Sequence, residues 1–195
     1  MKSQILDQFR SSAETAIRTG EMLSADIERC ASSLIATLDA GGKILVCGNG
    51  GSAADAMHFS AELLVRFESE RQGLAAIALS ADTAAITAAG NDYRFSHIFS
   101  RQIEALARPG DHHQVITTSG NSENLIEAVA AAKQVGGVVI TALSGRDGGR
   151  LSTLLGSDDI ELRVPSITTA RIQEAHAIII HALCSLIDRH FQKDP

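Results

Sequence analysis

The stretch KILVCGNGGSAADAMHFSAELLVRF, Lys43 to Phe67, changes character twice. Lys43 to Cys47 is an apolar run of strand length, Gly48 to Ser52 is a glycine-rich turn, and Ala53 to Phe67 returns to apolar residues at helical spacing. It reads as strand, loop and helix. The same succession recurs downstream: Leu74 to Leu79 before Asp82 to Ala89, Gln114 to Thr118 before Glu123 to Lys133, and Gly137 to Leu143 before the Arg150 region. A last short strand, Ile160 to Val164, passes through Pro165 into a long helical segment from Thr169 to about Phe191. Strands that read as apolar runs between helices are buried on both faces, which predicts a three-layer α/β sandwich around a five-stranded parallel sheet.

Upstream of Gly41, helical spacing over Ile5 to Arg18 and again over Met22 to Leu38 predicts two leading amphipathic helices, an N-terminal helical pair over residues 1–40. Lying outside the strand-and-helix alternation, such a pair is suited to a subunit interface. Gly90, Asn91 and Asp92 read as a polar turn leading to a helix from Phe95 to Ala107. With 195 residues and no repeat, linker or low-complexity segment, the chain is expected to be a single domain over 1–195.

Composition removes several function classes. Lys and Arg total 17 against 23 Asp and Glu, a net charge of -6, and no basic stripe is available for a nucleic acid. Met1 to Arg10 lacks the apolar core of a signal peptide, and no run approaches the roughly 18 apolar residues of a membrane span. A cytoplasmic protein with neither nucleic acid nor membrane as partner is expected. Cys30, Cys47 and Cys184 are odd in number and far apart, so neither a disulfide framework nor a thiolate metal site is indicated.

Parallel sheets bind ligands beyond the carboxyl ends of their strands. Two loops stand there. Cys47-Gly48-Asn49-Gly50-Gly51-Ser52 joins backbone freedom to a hydroxyl at the start of a helix, and Thr117-Thr118-Ser119-Gly120-Asn121-Ser122 repeats the idea with more hydroxyls. Together they suggest phosphate and hydroxyl recognition; the alternative is that the glycines only turn the chain and Ser52 and Ser122 only cap helices. Neither loop has the spacing of a P-loop or of the dinucleotide fingerprint, so nucleotide hydrolysis and nicotinamide chemistry are disfavoured and no nucleotide cofactor is expected.

The helix after the first loop carries Asp55, His58 and Glu62, the last two sharing a face about 6 Å apart along the axis. Such a pair can divide acid and base roles or hold a divalent ion, and His58 between Met57 and Phe59 can equally be a packed histidine bonded to a carbonyl. The closing helix carries Arg171, Gln173, Glu174, His176 and His181 among Ala and Ile, a polar seam in which Gln173 and His181 are separated by about 12 Å of rise and roughly 80°. Arg66, Asn91 and Asp92 are further candidates for sugar hydroxyls or phosphate. His112 and His113 read as a solvated edge before a strand, Lys133 and Arg150 as surface charges, and Cys47 as a small core residue rather than a nucleophile.

CGNGGSAADAMH at 47–58, GND at 90–92, TSGNS at 118–122 and ARIQEAH at 170–176 together resemble the sugar-isomerase (SIS) domain, a flavodoxin-like fold, and within it the phosphoheptose isomerases, over almost the whole chain. The resemblance implies isomerisation of D-sedoheptulose 7-phosphate to D-glycero-D-manno-heptose 7-phosphate through an enediol, at the start of bacterial lipopolysaccharide heptose synthesis. It also implies a homotetramer with shared active sites. Glu62 resembles the catalytic carboxylate and His181 the catalytic imidazole. His58, Glu62, Gln173 and His181 resemble the set that holds a zinc ion in some members, one per subunit. Ser52, Thr118, Ser119, Asn121 and Ser122, with Gly50, Gly51 and Gly120 in the same loops, resemble the phosphate- and sugar-binding set, and Asn49, Asp55, Arg66, Asn91, Asp92 and Gln173 look like further substrate contacts. A related non-enzymatic branch binds the bacterial replication initiator as a tetrameric adapter; LLGSDDIELRVP and CSLID resemble it, but its best-known type lacks the residues matching Glu62 and His181. A sensor that binds the sugar phosphate without turnover is the third reading. His112 and His113 depart from the isomerases, which place an apolar strand start there.

Overall fold

The computed structural model describes residues 1–192. The apolar run that opened the sequence is β1 (Ile44–Gly48), followed by α2 (Gly51–Leu64). Ahead of it lies α1 (Lys2–Asp39), and after it β2 (Ala76–Ala78), α3 (Thr83–Asp92), a single 3-10 turn at Phe95–His97 and α4 (Ser100–Leu106). Then come β3 (His112–Ile116), α5 (Glu123–Val135), β4 (Val139–Ser144), α6 (Gly149–Ser152), β5 (Ile160–Arg163) and α7 (Thr169–Phe191). The strands form one sheet in the order β2-β1-β3-β4-β5, every neighbouring pair parallel. The predicted three-layer α/β sandwich is the architecture found.

Alternate residues of each strand feed opposite layers, as the period of two requires. Ile44 and Val46 face a core shared with α1, α2 and α7, where Leu34, Phe59, Leu63, Ile179 and Leu183 are buried. Leu45 and Cys47 face the other core, built on Phe99 just before α4, Ile103 of α4, and Leu125 and Val129 of α5. Burial of one such side chain contributes about 1.5–3 kcal/mol, so both layers are held by apolar packing. Among the described residues no helix is long and apolar enough to cross a membrane.

Three local expectations are revised. The two leading helical stretches run as one continuous helix of 38 residues, α1. Gly20 at the join costs about 1 kcal/mol against alanine, too little to break a helix that packs along α7. Gly90, Asn91 and Asp92 are not a turn but the last turn of α3, which Asp82 caps by accepting from the Ala85 N–H at 3.0 Å. His112 and His113 are not a solvated edge; they open β3, the middle strand, and both are fully buried. Each has a partner that makes this tolerable: His112 Nε2 lies 2.8 Å from Thr141 Oγ1, and His113 Nδ1 donates to the Leu45 carbonyl at 3.0 Å. Burial pushes both imidazoles down, to about 3 and about 4, so they are neutral in the fold.

Candidate active site

The strand order reverses direction between β1 and β3, with β2 on one side and β4 and β5 on the other. At such a switch point the loops after the two central strands diverge and leave a crevice. Here those loops are the two serine- and glycine-rich segments. Asn49, Ser52, Thr118, Ser119, Ser122 and Gln173 line a recess of about 90 Å³ between them.

The glycines are forced by close approach. A side chain on Gly48 would run into the Ser52 backbone, Gly50 has φ +56° at the head of α2, and Gly120 has φ +65° with the Gly148 carbonyl against its Cα. A Cβ on Gly51 would come within 2.6 Å of Gln173 Nε2. Capping does not explain the serines: α2 is preceded by Gly50 and α5 by Ser122, and neither helix start has a side-chain capping bond. Ser52 and Ser122 both line the recess, to which two helix N-termini also bring their partial positive charge. No lining residue is a cation; the polar groups the recess offers are hydroxyls, amides and helix ends.

One contact here was not legible in the sequence. Asn49 Nδ2 donates to Asn124 Oδ1 at 2.9 Å and Asn124 Nδ2 returns the bond to Asn49 Oδ1 at 2.8 Å, fixing the first loop to the start of α5. Asn124 is buried, yet a polar residue in the first turn of a helix looks solvated until its partner 75 positions away is known.

From the recess a polar stripe descends α2. Ser52, Asp55, His58 and Glu62 follow one another at three- and four-residue spacing on one face, beside α7. Burial pushes the Asp55 carboxyl above its ordinary value, against the pull of neighbouring His58. Further down, His58 Nε2 stands 3.1 Å from Glu62 Oε1 and 3.5 Å from His181 Nε2 of α7. His58 is thus no packed histidine on a carbonyl; it joins the carboxylate to the second imidazole. The His181 ring stacks on Phe67 at 5.5 Å between centroids.

Other sequence candidates lie apart. Arg66 is exposed and reaches Glu70 and the Glu68 carbonyl, while Asn91 and Asp92 are exposed on α3 and bond each other at 2.8 Å. Asn121 is spent on the loop itself, donating to the Ser119 carbonyl and accepting from the Arg150 N–H. Arg150 pairs with Glu123 and Lys133 with Asp159. His176 is buried in the expected polar seam, donating Nε2–H to the Ser144 carbonyl at 3.0 Å. Cys47 has a histidine 3.8 Å away, His113, but both are sealed in the core and burial pushes the thiol above its ordinary range, so it is no nucleophile.

The zinc expectation is corrected. Among the described residues no group of three or more His, Cys, Asp or Glu is arranged to hold a metal ion. His58 Nε2 is instead engaged within the protein, 3.1 Å from Glu62 Oε1 and 3.5 Å from His181 Nε2. Gln173 lies up the seam against Gly51.

The SIS domain family profile matches residues 8–145. The phosphoheptose isomerase of Shewanella loihica is 53% identical over 189 residues, covering 97% of this chain and 95% of that protein. The chain belongs to the phosphoheptose isomerase family of SIS domains. Solved phosphoheptose isomerases from Neisseria gonorrhoeae and Francisella tularensis superpose with TM-scores of 0.90 and 0.93. They are 45% and 47% identical, each aligned over 96% of this chain and over 98% and 97% of their own lengths. Family membership thus covers both the serine recess and the α2–α7 seam.

Proposed function

We propose that the chain is a phosphoheptose isomerase that interconverts D-sedoheptulose 7-phosphate and D-glycero-D-manno-heptose 7-phosphate through an enediol. The observation that carries the reading is the side-chain chain Glu62, His58, His181, running between α2 and α7 below the serine recess. The recess holds the phosphate end. Gln173 and His181 are separated by about 12 Å along α7, the scale of an extended seven-carbon chain. An anchored phosphate therefore leaves the carbonyl end beside Glu62 and His181.

Glu62 takes the proton from C1 of the ketose as His181 gives a proton to the C2 carbonyl oxygen, forming the enediol. Glu62 then returns its proton to C2 while His181 recovers one from the C1 hydroxyl, leaving the aldehyde. His58, bonded to both, sets their orientation. With both groups facing one seam, the enzyme reading is preferred to the adapter and sensor readings.

The proposal extends to one SIS domain over the chain, acting in the cytoplasm as a homotetramer with residues 1–40 at an interface. Free, buried Cys30, Cys47 and Cys184 suit a reducing compartment. The solvent face of α1 presents Ile5, Phe9, Ile17 and Met22, an apolar surface suited to a neighbouring subunit. Arg66, Asn91 and Asp92 contact substrate across that assembly.

Conversion of sedoheptulose 7-phosphate by purified protein tests the function. In Glu62→Gln turnover drops at least about 100-fold while circular dichroism and calorimetric binding of the sugar phosphate are retained. Turnover of the variant at the normal rate overturns the role of Glu62.

A further inference from the structure

Below the His58 and Glu62 level, the seam between α2 and α7 closes on a buried ion pair. Arg71 Nε stands 2.6 Å from Asp188 Oδ1, and both side chains are almost wholly enclosed. The rest of the guanidinium serves the end of α2: Nη2 donates to the Glu62 carbonyl at 2.6 Å and Nη1 to the Leu63 and Gln72 carbonyls at 2.9 and 3.0 Å. Asp188 Oδ2 accepts from the Glu68 and Ser69 N–H groups at 2.9 and 2.8 Å, so the loop leaving α2 is tied to α7 as well.

A buried pair of this kind seldom gains stability over apolar residues of equal volume, since desolvation offsets the attraction. Its placement is more telling. The last carbonyls of a helix lack partners within it, and Arg71 satisfies those of Glu62 and its neighbour. Asp188 is seven residues beyond His181, two turns along the same face of α7. One contact therefore joins the backbone of the carboxylate residue to the helix of the imidazole residue. At the other end of the seam Gly51 meets Gln173, so the two helices lie parallel, pinned above and below the reacting groups.

We infer that Arg71 and Asp188 are positioning residues that set where Glu62 stands relative to His181, and so govern turnover without touching substrate. The inference rests on the isomerase reading. Displacement of a reacting group by about 1 Å costs around 100-fold in rate, and the phosphate recess lies at the far end of the seam. Loss of the clamp should therefore lower kcat and leave KM in place.

The test uses the full chain, with sedoheptulose 7-phosphate as substrate, well below the unfolding midpoint of each variant. Asp188→Asn, which keeps an acceptor for the loop amides but loses the charge, is expected to lower kcat by about 10- to 100-fold with KM within about twofold. Asp188→Glu and Arg71→Lys, which keep the pair but not its geometry, should fall between it and the parent. A purely structural role would lower the unfolding midpoint and spare kcat per folded molecule; a folded Asp188→Asn with parental kcat, or equal loss through KM, overturns the inference alone. If Asp188→Asn does not fold, Arg71→Lys decides by the same criteria, and failure of both to fold assigns the pair to stability and overturns it too. An inactive parent protein overturns the isomerase reading first, and with it the role assigned here.

Discussion

Gly51 and Gln173 meet where α2 and α7 begin, so closely that a Cβ on Gly51 would lie 2.6 Å from Gln173 Nε2 and 3.3 Å from its Cδ. The obstructed group is the end of a flexible side chain, not backbone. Gly51→Ala is thus expected to fold and to push Gln173 out of the recess it lines. The expected outcome is a KM for the sugar phosphate raised about 10-fold, a loss of one polar contact, with kcat little changed. Steady-state kinetics check this, and an unchanged KM would show that Gln173 takes no part in holding substrate.

The reciprocal amide pair Asn49 and Asn124 predicts a different pattern. Asn124→Leu leaves the Asn49 amide without its partner at the lip of the recess, and a stranded polar group costs about 1–3 kcal/mol. Replacing both asparagines by leucine removes the stranded group along with the pair. Urea unfolding of the two single variants and the double variant should therefore show the double variant losing less than the sum of the singles. Simple additivity would mean that the two amides do not depend on each other.

The two glycine loops and the helix after the first could be read from sequence because tight backbone approach at the strand ends demands glycine, and the hydroxyl residues beside them make an unusual local composition. Helical periodicity likewise gave α7 its full extent, Thr169–Phe191. What local sequence does not carry depends on partners distant in the chain. His112 and His113 look hydrophilic until Thr141 and the Leu45 carbonyl are beside them, and Arg71 looks solvated until Asp188, 117 positions on, is packed against it. The zinc set shared this weakness. Spacing puts His58 and Glu62 on one face and the family resemblance adds Gln173 and His181, but how the donor atoms are turned is a matter of rotamers, which spacing does not encode.

The buried histidines carry the last prediction, a loss of stability in mild acid. Burial lowers His112 to about 3, and His113 and His176 to about 4. In the unfolded chain each titrates near 6.5. Between these values the unfolded state holds the extra protons, so stability is complete above about pH 6.5 and declines as pH falls toward 4. With all three titrating in the unfolded chain, the slope reaches roughly 4 kcal/mol per pH unit, large against a typical total of about 5–15 kcal/mol. Asp188 does not counter this. Burial raises its carboxyl, but the Ser69 N–H, the Arg71 guanidinium and the Glu68 N–H together hold it below its ordinary value. Its contribution is lost only in stronger acid, and in the same direction. The unfolding midpoint should be flat from pH 8 to about 7 and drop steeply below about 6. His113→Asn keeps a donor for the Leu45 carbonyl without a titrating ring, and should reduce the slope by about a third. Thermal unfolding across this range, with and without the substitution, decides it; a midpoint that holds level down to about pH 4 would mean that the histidines are not buried neutral in the fold.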